Sequence, residues 1–219
     1  MIDPTLVISL FAIRTKKALV KCTHTANVYD SLGNAPMQDI LLSYIENMRD
    51  TNSPRYLTFT SYKRNHKKDD ILQCSAIMLE YPYSKKQQLE ERLAQLPFTH
   101  YQIDTQADFD NNAEARILVS FPMVNPIYEP RDYTRVASLL WDEIGIDAHT
   151  KGDISSTFLF APYVVRPKVL FRDADRHFLD YEEYLRDNRG HWVDAKHREE
   201  KPAPAFVKSD DGLFSFPEL

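Results

Sequence analysis

Glu80 ends an apolar run, Ser75-Ala76-Ile77-Met78-Leu79, and is followed by Tyr81-Pro82-Tyr83-Ser84. A carboxylate at the end of a buried strand is a place to hold a hard divalent cation. Paired carboxylates there would let the metal neutralise a polyphosphate and orient an attacking hydroxyl. The second position of such a pair, two residues on, is Pro82. Proline offers no ligating side-chain atom and no backbone N–H. One acid therefore stands where this chemistry asks for two.

A second stretch with chemical content is Lys63-Arg64-Asn65-His66-Lys67-Lys68, which follows Tyr62 directly. Cationic side chains beside an aromatic can hold a single strand of nucleic acid, by phosphate pairing and base stacking. A solvated hairpin loop accounts for the same residues equally well, and Asp69-Asp70 cancels part of the charge. Other chemistries find little support. Cys22 and Cys74 match no metal or redox spacing and read as free thiols, buried as small hydrophobes in a reducing cytoplasm. His149, His177, His191 and His197 form no nucleophile or metal pattern, and Ser155-Ser156 lacks the flanking glycines of a nucleophile elbow. No P-loop, dinucleotide fingerprint, zinc spacing or internal repeat is present.

The elements that must position these residues can be read from periodicity. Thr5 to Ile13 is rich in β-formers and reads as a strand. Asp30 to Pro36 is a loop of turn residues, and Met37 to Met48 has helical apolar spacing, broken by Asn52-Ser53-Pro54. Arg55 to Tyr62 alternates and reads as one strand. From Ile71 to Pro122 the order is strand, charged helix (Lys85 to Gln95), strand, loop, strand. His100 falls inside the second of these strands and reads as a half-buried structural histidine. Asp132 to Ile144 is an amphipathic helix with Gly145 as its stop, and Ser155 to Pro162 returns as a strand.

After Arg166 the composition turns charged, with a helix expected over Tyr181 to Asn188. Pro202-Ala203-Pro204 is a linker, and the tail carries Asp210, Asp211, Leu213, Phe214 and Phe216. The division expected is a domain over residues 1–165, a helical charged appendage over 166–200, and a linker with an acidic, aromatic tail over 201–219. With 43% hydrophobic and 12% aromatic residues the chain can build a core. Its net charge of −5 argues against coating duplex DNA by bulk charge, though not against a local basic groove. The early apolar run is too short for a membrane span and its lysines follow rather than precede it. The expectation is a soluble protein of the bacterial or host cytoplasm, with no membrane partner.

Taken in order, several stretches form one pattern. They are Ile77-Met78-Leu79-Glu80-Tyr81-Pro82-Tyr83-Ser84, Ile103-Asp104-Thr105-Gln106-Ala107-Asp108, Arg116 with Ser120-Phe121-Pro122, Gly145-Ile146-Asp147, and Asp153-Ile154-Ser155-Ser156. The pattern resembles the archaeo-eukaryotic primase superfamily, and most of all the primase-polymerase domains at the start of phage and plasmid replication proteins. The resemblance covers about half the chain and lies in pattern more than identity.

It implies an α+β fold with an RRM-like mixed sheet flanked by helices. It places Glu80 at the first acidic motif, Asp108 where a histidine is expected, Arg116 as a phosphate contact and Asp153 at the last acidic motif. An ion pair with Glu114 or Asp110 accounts for Arg116 equally. With Pro82 in place of an acid and no histidine, the resemblance implies a degenerate catalytic site. The domain would bind single-stranded or primer-template DNA through Tyr62, Lys63, Arg64, Lys67, Lys68 and Arg116, and no cofactor is expected.

Two alternatives stand beside that reading. One is an active primase-polymerase with Mg²⁺ or Mn²⁺ held by Glu80, Asp108 and Asp153. The other is an interaction scaffold whose tail, Asp210-Asp211 with Leu213, Phe214 and Phe216, resembles the partner-recruiting ends of single-strand-binding proteins. That tail would recruit replication proteins such as a helicase or fold back on the basic groove, and an ordinary disordered end accounts for it as well.

Overall fold

The computed structural model describes residues 5–15, 18–28, 38–39, 41, 55–63, 70–104, 116–148, 153–154, 158–160, 168–175 and 177–189. The expected loop before Pro36, Arg64, Lys67, Lys68, Asp108 and the tail from Asp210 to Phe216 lie outside them. So does most of the expected helix from Met37, although Gln38, Asp39 and Leu41 are helical. The chain divides into two compact units, Met1–Arg186 and Asp187–Leu219. Of the second, only Asp187, Asn188 and Arg189 are described.

The first unit holds two sheets. One joins β2 (Ala18–Asn27), β1 (Thr5–Thr15), β3 (Arg55–Thr58) and β8 (Phe158–Phe160) in that order. The other has the order β4 (Thr60–Tyr62), β5 (Ile71–Pro82), β7 (Arg116–Ile127), β6 (His100–Asp104), β9 (Lys168–Arg172). The expected α+β class is present, a five-stranded antiparallel sheet flanked by helices. Among the described residues every strand pair is antiparallel, and the parallel contact is an isolated bridge between Met123 and Leu179. The reason is the crossover from β5 through helix α1 (Lys86–Leu93) to β6. It makes β5 and β6 run the same way, but β7 inserts between them and opposes both.

Pleating sorts the residues of β5 and β7 onto two faces. Ile77, Leu79, Tyr81, Ile117, Val119 and Phe121 face the helices, packing with Leu89 and Leu93 of α1 and with Tyr133, Val136, Ala137, Leu140 and Ile144 of α2 (Pro130–Ile144). Ala76, Met78, Leu118, Tyr101, Ile103 and Val169 face the other way, against Leu6, Leu57 and Phe59. Helix α2 opens with Pro130 in its first turn, where a missing N–H costs nothing, and places Asp132 at the positive end of its dipole. It stops at Gly145, whose φ of 68° suits glycine. Tyr133 also completes the sheet. Strand β4 pairs with β5 only as far as Cys74, and beyond it the Tyr133 hydroxyl accepts from the Met78 amide (3.1 Å) and donates to the Met78 carbonyl (3.4 Å).

Arg55 to Tyr62, expected as one strand, is two. The chain passes from the first sheet to the second at Phe59, which is fully buried. Ser75 ties the sheets together at the same point. Its Oγ accepts from the Val7 amide at 2.9 Å, and its proton has the Phe59 carbonyl (3.1 Å) and the Val7 carbonyl (3.3 Å) as acceptors. Residue 165, the expected boundary, lies outside the described residues. Lys168–Arg172 forms β9, paired with β6 along its whole length, so the sheet draws an edge strand from the presumed appendage. Helix α3 (Tyr181–Asp187) follows, and its Tyr184 hydroxyl donates to Glu143 of α2 at 2.6 Å.

Candidate functional site

The residues singled out by type fall at different points along β5. Glu80 stands near its carboxyl end, half-buried and opposite Leu118 of β7. Two residues on, Pro82 lies opposite Arg116. Positions two apart on a strand share a face, so Glu80, Pro82 and Arg116 lie on one side of the sheet. Arg116 is the diagonal neighbour of Glu80, a spacing of about 7–8 Å that long side chains bridge. A guanidinium there can bind a phosphate through two parallel bonds. The ligand position beside it is the proline. This donor set does not fit a metal clamp built on paired carboxylates.

On the opposite face of the same end, Asp104 closes β6 and is 4% exposed. It receives Lys86 Nζ at 2.6 Å, and that ammonium also lies 5.0 Å from the centre of the Tyr83 ring. Burial pulls the lysine pKa down, but the bond and charge of Asp104 outweigh it and the net shift is upward. Lys86 sits in the first turn of α1, where the helix dipole disfavours a cation, and the buried aspartate offsets that. Periodicity and composition did not single out this pair. The signal was present as an acid ending an apolar strand, Tyr101-Gln102-Ile103-Asp104, at the same sheet end as Glu80.

At the amino end of β5, the Lys63 amide donates to the Asp70 carbonyl at 2.7 Å and closes the hairpin, with Lys63 itself exposed. Tyr62 is a correction. It is 2% exposed, and burial, followed by Cys74 and Asp153, raises its hydroxyl pKa. A ring so enclosed cannot stack on a base. The alternation of Arg55 to Tyr62 could not reveal this, because Thr58, Phe59, Thr60, Ser61 and Tyr62 are all buried where the strand changes sheets.

Asp153 is placed by its neighbour. The Ile154 carbonyl accepts from Thr60 Oγ1 at 2.5 Å, and Thr60 lies opposite Cys74. Glu80 is six residues further along β5 from Cys74, about 20 Å of strand. The expected set of Glu80 and Asp153 is thus not brought together at one point. Among the described residues no group of three or more His, Cys, Asp or Glu side chains is placed to hold a metal ion.

His100 is structural, as expected. It is 3% exposed, its Nδ1–H donates to the Phe98 carbonyl at 2.9 Å, and burial lowers its pKa. Cys74 is also buried, and burial pushes its thiol up to about 11, so it is not a thiolate at neutral pH. Among the described residues no helix is long and apolar enough to cross a membrane.

No family model matches the chain, and no curated protein matches it. Among solved structures, the chain is similar to the AEP domain of the cyanophage S-2L primase-polymerase. The two share 12% identity over 85% of this chain and 89% of that one, with a TM-score of 0.42.

Proposed function

We propose that this chain is a catalytically degenerate primase-polymerase-like domain of a phage, plasmid or mobile-element replication protein. In this reading it binds single-stranded or primer-template DNA through phosphate contacts. The observation that supports it most is the pairing of Pro82 with Arg116 on the face that also carries Glu80. The arrangement keeps a guanidinium that can hold a phosphate and lacks the second carboxylate that would hold a catalytic ion beside it. Phosphate contacts need no metal, so binding can outlast the chemistry. Lys63 supplies a second cation at the far end of β5, roughly 30 Å of strand from Glu80. That is a length over which an extended nucleic-acid strand, rather than a free nucleotide, would touch both.

The test is fluorescence anisotropy with labelled single-stranded and primer-template DNA, with and without Mg²⁺, over a salt series, alongside templated extension with Mg²⁺ and Mn²⁺. The expected result is salt-sensitive binding that ignores Mg²⁺, weakened by Arg116→Ala, with no extension. Extension that Glu80→Ala abolishes would replace this reading with an active enzyme. Absence of binding at low salt, where electrostatic association is strongest, would sink the nucleic-acid reading altogether.

A further inference from the structure

Burial of Tyr62 leaves the amino end of β5 with a cation and without the aromatic expected beside it. A single strand held there by Lys63 alone would touch the protein through its phosphates only. The sheet brings other side chains to this end. Among the described residues three large apolar side chains are exposed, Leu72 at 44%, Tyr128 at 60% and Leu170 at 47%. Leu170 belongs to β9, at the far edge of the sheet. Leu72 and Tyr128 lie at the same end as Lys63.

Strand register places all three. β4, β5 and β7 are neighbours in the sheet, and β4 and β7 both oppose β5, so both leave the sheet at the amino end of β5. Lys63 follows Tyr62, the last residue of β4, and its amide donates to the Asp70 carbonyl. Tyr128 follows Ile127, the last residue of β7, which stands opposite Cys74. Leu72 lies between them on β5, two residues from Cys74. It is the extra residue of a bulge, because Ser61 pairs with Gln73 and Tyr62 with Ile71, and no β4 residue opposes it. Bulges re-aim side chains in this way at the rims of sheets. At about 4.8 Å between strands and 3.3 Å per residue, Tyr128 stands roughly 6 Å from Leu72 and roughly 12 Å from Lys63, backbone to backbone.

An exposed aromatic with an aliphatic neighbour and a nearby cation matches a nucleotide, which joins a flat ring to a phosphate. Of the charges next to Tyr128 in sequence, Glu129 and Arg131 are both exposed and opposite in sign, and Asp132 is paired with Arg135 at 3.5 Å. Two apolar side chains cover far less than the roughly 800 Å² per partner of a stable protein interface, and suit a base. We propose that Tyr128, with Leu72 as its apolar neighbour, is a stacking platform for a base of single-stranded nucleic acid whose phosphate Lys63 holds. Resting on the nucleic-acid reading above, this contact adds a base to what is otherwise a set of phosphate contacts. Stacking on a π-face tolerates any sequence, so the strand is gripped without being read.

The experiment measures anisotropy of the full chain on a labelled thymine strand of about 20 nucleotides and on an abasic strand of the same length, which keeps the sugar-phosphate backbone and lacks bases, from about 50 to 200 mM salt. Tyr128→Ala should lose about tenfold in affinity for the thymine strand, within the range of one base–aromatic stack. Its slope of log Kd against log salt should stay as in wild type, whereas Lys63→Ala should reduce that slope by about 0.7, one phosphate contact on a single strand. Tyr128→Trp should bind the thymine strand within about twofold of wild type. On the abasic strand Tyr128→Ala and wild type should bind equally. A folding defect would not spare that strand, which separates stacking from stability.

Thymine-strand affinity of Tyr128→Ala within about twofold of wild type would overturn the stacking proposal, as would an equal loss on both strands. Either result, with Arg116-dependent binding intact, would leave the phosphate reading standing. Tyr128-dependent binding that Arg116→Ala does not weaken would do the reverse. A wild-type dimer that Tyr128→Ala turns into a monomer would assign the patch to a second copy of the chain and overturn stacking. Binding of neither strand at the lowest salt would remove both.

Discussion

The two ends of β5 are built on different physical terms. At the amino end the strand turns through a hairpin closed by Lys63 and Asp70, and the aromatic beside it, Tyr62, is sunk into the protein. Among the described residues, the charge offered to solvent there is Lys63. At the carboxyl end the charges are ordered by the sheet itself, with Glu80 and Arg116 on one face and the Lys86–Asp104 pair on the other. The first arrangement supplies attraction without geometry. The second supplies geometry, because strand register fixes where the guanidinium stands. The contrast suggests that Arg116 would set how a phosphate is oriented and Lys63 mainly how readily the anion arrives.

The middle of β5 is what makes the two ends one rigid object, and the largest expected effect is to cut it there. Tyr133→Phe removes the hydroxyl that satisfies both the amide and the carbonyl of Met78. It should destabilise the protein by about 1–3 kcal/mol in chemical denaturation, the usual cost of leaving buried backbone groups unpaired. A loss below about 0.5 kcal/mol would mean that the hydroxyl does not close the β5 edge.

A smaller effect is expected from Asp104→Asn, which leaves Lys86 without its counter-charge at the positive end of α1. The lysine side chain is 24% exposed and the aspartate side chain 5%, so a loss of about 1–2 kcal/mol is expected, between the exposed and the buried limits. Because Asp104 raises the folded pKa of Lys86, the pair's stabilisation is fully present below the ordinary lysine value of about 10.4. It is lost only as pH climbs through the folded value. Equal alkaline sensitivity in wild type and Asp104→Asn would contradict that account.

The smallest effects sharpen the comparison most directly. Lys63→Ala and Arg116→Ala should each weaken single-strand binding by about three- to tenfold, in the range of a single charge-assisted contact. Stopped-flow kinetics should place the Lys63 effect mainly in the association rate and the Arg116 effect mainly in dissociation. The opposite partition would reverse the roles assigned to the two ends.

How much of this was legible in the sequence depended on whether a residue's neighbours were local. Helix α2 could be read to its last residue, because apolar spacing and Gly145 are local signals, while its start lies two residues before the expected Asp132. The strand ending at Glu80 was legible for the same reason. The break at Phe59 was not, since a chain that changes sheets mid-run keeps its β-forming residues and alters only which faces are covered. Strand β9 was hidden by flanking charge, because Lys168-Val169-Leu170-Phe171-Arg172 shows its alternation only when β6 lies beside it.

Ser75 carries one proton and faces two carbonyls, those of Val7 and Phe59, at nearly equal distances. The seam between the sheets is therefore a bearing with play in it. Were the first sheet to slide by a few tenths of an ångström, the hydroxyl would still have one of the two acceptors within reach. Alanine at this position would turn the bearing into a gap.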